Sequence, residues 1–307
     1  MDREPPPSRE GRSKRQPDPN PPRPQSHPPP GREQEATEAR AAPRSEAASG
    51  ATSIEIPAKS SEASRTMKKK VHIILQGKGG VGKSWVSSCL VQCLQERGEA
   101  VVALDTDPVN ATLSSIKSLN AFHVPLLENN AINERNFDAL IERFLTEDAH
   151  FVLDNGASTF LPLSNYLLEN PAFEMLADAG KDVVIHTVVT GGQAFMDTAF
   201  GFNDLAREMP PTVGFVVWLN EFFGPVQSED GTSFEDTKGY VAHRDRITGT
   251  IRLSKQSAAT FGADLDGMMR RKLTFKEAIA SPDFSLMARQ RLTMVRRGVF
   301  EQIARVV

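Results

Sequence analysis

Residues Gly77-Lys78-Gly79-Gly80-Val81-Gly82-Lys83-Ser84 follow the spacing G-x-x-x-x-G-K-[ST]. The chemistry of that spacing is phosphate binding. Its glycines let backbone N–H groups curl around the α/β-phosphates with no Cβ in the way. Lys83 is placed to reach the β/γ-phosphates, and the Ser84 hydroxyl to hold Mg²⁺. A helix opening at Lys83 points its positive end at the same anion. Carboxylates stand at the ends of two later apolar runs. Ala100-Val101-Val102-Ala103-Leu104 delivers Asp105 and, two residues on, Asp107; Phe151-Val152-Leu153 delivers Asp154. An aspartate at a strand's C-terminal end faces the ligand crevice of an open α/β sheet. Asp154 is therefore a candidate for the Mg²⁺ shell, directly or through water.

Positioning these residues needs strands that stop at the right place. Val71-His72-Ile73-Ile74-Leu75 is a short apolar run suited to a buried parallel strand. Ser84 to Arg97 then reads as a helix stopped by Gly98, so the glycine loop lies between strand and helix. Two further strands are expected over 182–189 and 213–219, the second closed by Asn220. Helices are expected over 136–145, 193–209 and 285–306, and another starts at the capping box Thr274-Phe275-Lys276-Glu277. The alternation of strand and helix over 67–307 argues for an α/β fold with one doubly wound, mostly parallel sheet.

Residues 1–66 stand apart. They hold thirteen of the 21 prolines, with many Arg, Glu and Ser and few apolar residues. Such a segment buries too little apolar surface to offset its ordering entropy and is expected to be a disordered extension. It has no apolar core of a secretory signal. Met67 directly precedes the first strand and marks the expected domain start. A net charge of −3 over 307 residues points to no particular partner. No run of eighteen apolar residues exists, so no membrane-spanning segment is expected. Cys89 and Cys93, four apart on the first helix, lack further ligands for zinc and read as buried thiols. On the last helix, Leu292, Val295, Val299, Ile303 and Val306 form an apolar stripe that docks on the sheet and leaves arginines outside.

With its second lysine, Lys78, the loop K-G-G-V-G-K-S resembles the deviant Walker A of the ParA/MinD family of P-loop ATPases. The resemblance implies a nucleotide-dependent homodimer that sandwiches ATP. Lys78 would reach the phosphates of the second subunit and act like an arginine finger. In D-T-D-P (105–108), the resemblance makes Asp107 the residue that orients the attacking water and Asp105 a support for Mg²⁺. Asn220 would hydrogen-bond adenine. Guanine-reading relatives carry N/T-K-x-D, which Asn220-Glu221-Phe222-Phe223 lacks, so ATP is expected over GTP. Asp154-Asn155-Gly156-Ala157-Ser158 departs from the family's usual D-T-P-P-G.

Within that family the chain looks like the members encoded by conjugative plasmid transfer operons. The similarity rests on residues 75–84, 105–112, 154–158, 184–194, 215–220 and 291–296. It implies a cytoplasmic, slow ATP hydrolase that assists DNA transfer, with the transfer machinery or its DNA as partner. The alternative is a nucleotide-gated binding module with little or no hydrolysis. A small-molecule kinase on the same loop class is a third reading, against which Lys78 stands.

Overall fold

The computed structural model describes residues 68–128 and 131–307. The expected extension over 1–66 and the start at Met67 lie outside the described residues. The strands are β1 (Lys70–Ile74), β2 (Val101–Asp105), β3 (Phe122–His123), β4 (Leu127–Glu128), β5 (Ala131–Ile132), β6 (His150–Asp154), β7 (Asp182–Thr190), β8 (Gly214–Asn220) and β9 (Ile247–Leu253). The α-helices are α1 (Lys83–Glu96), α2 (Asp138–Thr146), α3 (Phe160–Glu169), α4 (Ala172–Asp178), α5 (Phe195–Glu208), α6 (Lys238–His243), α7 (Ala263–Arg270), α8 (Phe275–Ala280) and α9 (Leu286–Ile303).

Seven strands form one sheet in the order β3-β2-β6-β1-β7-β8-β9, every neighbouring pair parallel. β4 and β5 make a separate antiparallel pair. From β1 the chain first builds outward to β2 and returns through β6. It then builds the other way through β7, β8 and β9. The direction therefore reverses at β1, and a crevice opens there beyond the carboxyl ends of the strands.

Side chains of alternate residues leave opposite faces of a strand. Val71, Ile73, Phe151, Leu153, Ile185, Phe215 and Val217 enter one apolar layer, covered by α2, α3, α4 and α5. Ile74, Val152, Val184, Val188, Val216 and Trp218 enter the other, covered by α1, α7, α8 and α9. With both faces covered, the strands read as nearly continuous apolar runs. Each fully buried Leu, Ile or Phe contributes about 1.5–3 kcal/mol relative to exposure.

The expected last helix forms as α9, capped by the Ser285 hydroxyl accepting from Ala288 N–H. It buries Leu292, Val299 and Ile303. Several of its arginines pair at once with acids: Arg291 with Asp264 at 2.6 Å and Arg296 with Glu96 at 3.1 Å. The helix thus seats its stripe on the sheet as expected. The capping box at Thr274 also forms, with the hydroxyl accepting from Glu277 N–H and the Glu277 carboxylate accepting from Thr274 N–H. Among the described residues, no helix is long and apolar enough to cross a membrane.

One polar array interrupts the α1-side layer. Trp218 Nε1–H donates to His186 Nδ1 at 3.0 Å, which leaves the proton of that ring on Nε2. His186 Nε2 in turn lies 3.0 Å from His72 Nδ1. The His72 ring stacks 5.8 Å from His150, whose Nδ1 accepts from Lys70 N–H. All three imidazoles are fully buried, and burial is the main force that keeps them neutral. It holds His186 down at about 3 and His150 at about 4, with His72 well below its usual value.

Candidate functional site

β1 ends at the switch point and hands the chain to the glycine loop. Gln76, buried beneath the loop, donates from Nε2 to Val188 O at 3.0 Å and Thr198 O at 3.3 Å. It thereby fixes the loop's start to β7 and α5. Gly82 precedes α1 with φ +102°, a conformation that costs most residues other than glycine. No side chain caps α1, and its first turn holds no acidic residue. The first N–H groups of this 14-residue helix are thus left to face an anion.

Lys83 curls back under the loop, and its Nζ donates to Lys78 O at 3.0 Å. Burial lowers its pKa, while the charges of Asp154 and Asp107 pull it up. Both carboxylates therefore act on this ammonium through their charge. Ser87 Oγ donates to Asp154 Oδ1 at 2.8 Å, and Ser84 stands near enough to the same carboxylate to draw its pKa down. Burial pushes Asp154 up to about 6, against the pull of the two serines; Asp105 adds to the rise and Lys83 opposes it. Its Oδ2 is buried without a hydrogen-bond partner. An orphaned carboxylate oxygen beside a serine hydroxyl is an oxygen donor set that suits Mg²⁺, so Ser84 and Asp154 fit the metal expected there.

The other expected site residues fall around this centre. Asp105 is fully buried, and both its oxygens accept backbone N–H groups, from Asp107 at 3.2 Å and Ser114 at 2.9 Å. It shapes the loop that follows β2. Asp107 Oδ1 accepts from Val109 N–H and Asn110 N–H at 2.9 and 3.0 Å, which bends the chain after β2. A Cβ on Gly156 would come 2.8 Å from Asp107 Cγ and 3.0 Å from its Cα, so the loop after β6 closes on Asp107 only because that position is glycine. Lys78 Nζ pairs with Asp197 Oδ2 in the first turn of α5 at 2.7 Å.

Asn220 ends β8 against the loop. Its Nδ2 donates to Val81 O at 3.0 Å, and its Oδ1 accepts from Phe222 N–H at 3.1 Å. The side-chain amide, 8% exposed, thus ties the glycine loop to the strand end. That role was not legible from the sequence, which suggested only contact with a base. Gln76 and Ser87 were also missed. Ser87 stands one helical turn after Lys83 and on the same face, a spacing that could have pointed to it. Cys89 and Cys93 are buried, and burial pushes both thiols up, Cys93 to about 11. Among the described residues no cluster of three or more His, Cys, Asp or Glu could hold a metal.

The geometry is a glycine-rich loop at the switch point of a parallel sheet, opening onto the uncapped start of α1, with Ser84, Ser87 and Asp154 beside it. Residues 72–280 match the CobQ/CobB/MinD/ParA nucleotide binding domain. The chain belongs to that family. Within it, the chain is 45% identical over 234 residues to Protein TraL of Escherichia coli, covering 76% of this chain and 97% of that protein. A second Protein TraL of Escherichia coli is 43% identical over the same coverage. The MinD cell division protein of Aquifex aeolicus overlays with a TM-score of 0.42 at 16% identity, over 74% of this chain and 95% of that one. The family match and the TraL relatives bear out the family expected from the sequence.

Proposed function

We propose that the chain is a Mg-ATP-binding ATPase of the cytoplasm whose nucleotide-dependent homodimer assists conjugative DNA transfer. The observation that carries the nucleotide part is the meeting of Lys83, Ser84 and Asp154 at the uncapped start of α1. Backbone N–H groups of residues 77–84 would hold the phosphates, and Lys83 their β/γ oxygens. Ser84 and Asp154 would hold Mg²⁺, which neutralises phosphate charge when bound. Asp107, whose charge acts on Lys83, would orient water. Lys78 would leave Asp197 and serve the second subunit's phosphates. The TraL relatives support the link to transfer, since the sequence resemblance connects those proteins with conjugative operons.

A second reading is a nucleotide-gated binding module with little hydrolysis. It is favoured by the engagement of Asp107 Oδ1 with two backbone N–H groups, which occupies one of the two oxygens of the carboxylate that would orient water. Steady-state phosphate release by the full chain separates the two, measured alone and with transfer proteins and DNA. Turnover that Lys83→Ala and Lys78→Ala both remove supports the ATPase. Nucleotide-dependent partner binding with no phosphate release supports the module.

A further inference from the structure

Asp154-Asn155-Gly156 departs from the sequence usual after this strand in the wider family, and the structure shows what stands there instead. Asn155, Thr106 and Thr159 are all buried at the carboxyl ends of β2 and β6. Thr159 Oγ1 lies 2.7 Å from Asn155 Oδ1 and 3.2 Å from Gly156 O within its own segment, and 3.4 Å from Thr106 O in the loop after β2. Thr106 Oγ1 lies 3.1 Å from both Asn155 Oδ1 and Asp154 O. Thr106 N–H donates to Asp154 O at 2.9 Å. Thr106 is flanked by Asp105 and Asp107, Asn155 follows Asp154, and Thr159 leads into α3.

We propose that Asn155 is a positioning residue: with Thr159 it locks the loop carrying Asp107 to the strand end carrying Asp154, so that the two acidic segments keep one register. This deepens the reading of the same site as a nucleotide site, and rests on it for the consequence in turnover. An amide oxygen is suited to the task. It has two lone pairs and two hydroxyls face it, one from each segment. Burial raises the cost of losing either bond, because an unpaired buried acceptor keeps its full desolvation penalty. Gly156 completes the lock sterically, since its bare Cα lets Asp107 approach from the other side.

The test is hydrogen exchange on the full chain without nucleotide, comparing wild type with Thr159→Val, Thr159→Ser and Asn155→Ala. The N–H groups of Val109, Asn110 and Ser114 report the loop, being held by Asp107 and Asp105. Thr159→Val and Asn155→Ala are expected to speed their exchange about tenfold, with the amides of β1 and β7 unchanged. Thr159→Ser keeps the hydroxyl and is expected to match wild type. Unchanged loop exchange overturns the proposal, as does acceleration of loop and sheet together. The turnover arm measures kcat and KM for ATP. Thr159→Val is expected to lower kcat about tenfold with KM within twofold, and to add nothing in an Asp107→Ala background. A full additional loss there overturns the link to Asp107. The exchange arm needs no nucleotide, so a chain that fails to hydrolyse ATP still supports or sinks the lock.

Discussion

Lys78 Nζ lies 2.7 Å from Asp197 Oδ2, so the loop's second lysine is held by an acid of its own chain, 119 residues away. Both side chains are about half exposed, 46% and 57%. A pair of that exposure is worth only about 0–1 kcal/mol. It can therefore be exchanged for a phosphate partner without unfolding anything.

The first prediction follows from that exchange. Asp197→Ala should leave the melting temperature within about 2 °C, since the pair adds little stability. It should also lower the protein concentration at which ATP drives dimers. Lys78→Ala should cost turnover far more than nucleotide affinity, because its contact belongs to the assembled state. Sedimentation with ATP, ADP and no nucleotide reads both; one oligomer under all three conditions would sink the dimer cycle.

Nucleotide binding itself is tested at Lys83. Lys83→Ala removes the cation proposed to meet the β/γ-phosphates and should abolish measurable ATP binding by titration calorimetry. The same titration with GTP should give weaker binding than ATP, as expected from the missing N/T-K-x-D. Equal affinities would assign Asn220 to the loop alone, through its bond to Val81 O.

Gly156 offers a steric test. Gly156→Ala places a carbon 2.8 Å from Asp107 Cγ, inside van der Waals contact. Overpacking of this kind costs about 1–3 kcal/mol. Thermal unfolding should show that loss, and turnover should fall by more than in Gly98→Ala, a change far from the site. Wild-type behaviour in Gly156→Ala would show that the two loops are free to part.

The buried histidines predict acid sensitivity. Their folded-state pKa values lie below the unfolded value of 6.5, so the unfolded chain takes up protons first as pH falls. Their contribution is complete above pH 6.5 and is lost as pH falls towards about 4, at about 1.4 kcal/mol per pH unit for each ring. Lys70 opposes the charging of all three, and Lys69 and Arg97 that of His150; Glu99 pulls His150 the other way. Asp154 has the opposite sign: raised to about 6, it favours the fold in acid and gives that up as pH rises through 6. Urea midpoints from pH 8 to 4.5 should fall below pH 6.5, and His150→Gln should flatten the fall by about a third above pH 6 and by about a half below it, where Asp154 cancels one ring's slope. A midpoint indifferent to pH over that window refutes it.

Composition alone predicts the effect of truncation. Deleting residues 1–66 should change neither melting temperature nor ATP affinity, since that stretch holds too few apolar residues to join a core. A stability loss above about 1 kcal/mol would place the domain boundary elsewhere.

The loop 77–84, the strand ends at Asp105, Asp154 and Asn220, and helices α1, α5, α8 and α9 were legible in the sequence. Their signals are local: a spacing, an apolar run, a cap. β9 was not read, because Ile247-Thr248-Gly249-Thr250 mixes small and polar residues on an edge strand. α3 was not read either, as Pro162 and Asn165 obscure its apolar face. The partners of the site residues were hidden for a different reason. Lys78 with Asp197, Asn220 with Val81 and Thr106 with Asn155 are pairings across 49 to 139 residues, set by strand order and not by spacing. That order emerges only when the sheet is assembled.

Trp218 brings a practical consequence through its bond to His186. The chain has two tryptophans, and this one is sealed in the sheet with its indole N–H on a neutral imidazole. Its emission should be blue-shifted in the native protein. Trp85, in the first turns of α1 against Phe275, sits beside the phosphate loop. The molecule therefore carries two native fluorophores with separate duties. One watches the core through the state of a histidine, the other watches the helix proposed to receive the nucleotide, and single Trp→Phe variants would let each be recorded without an added dye.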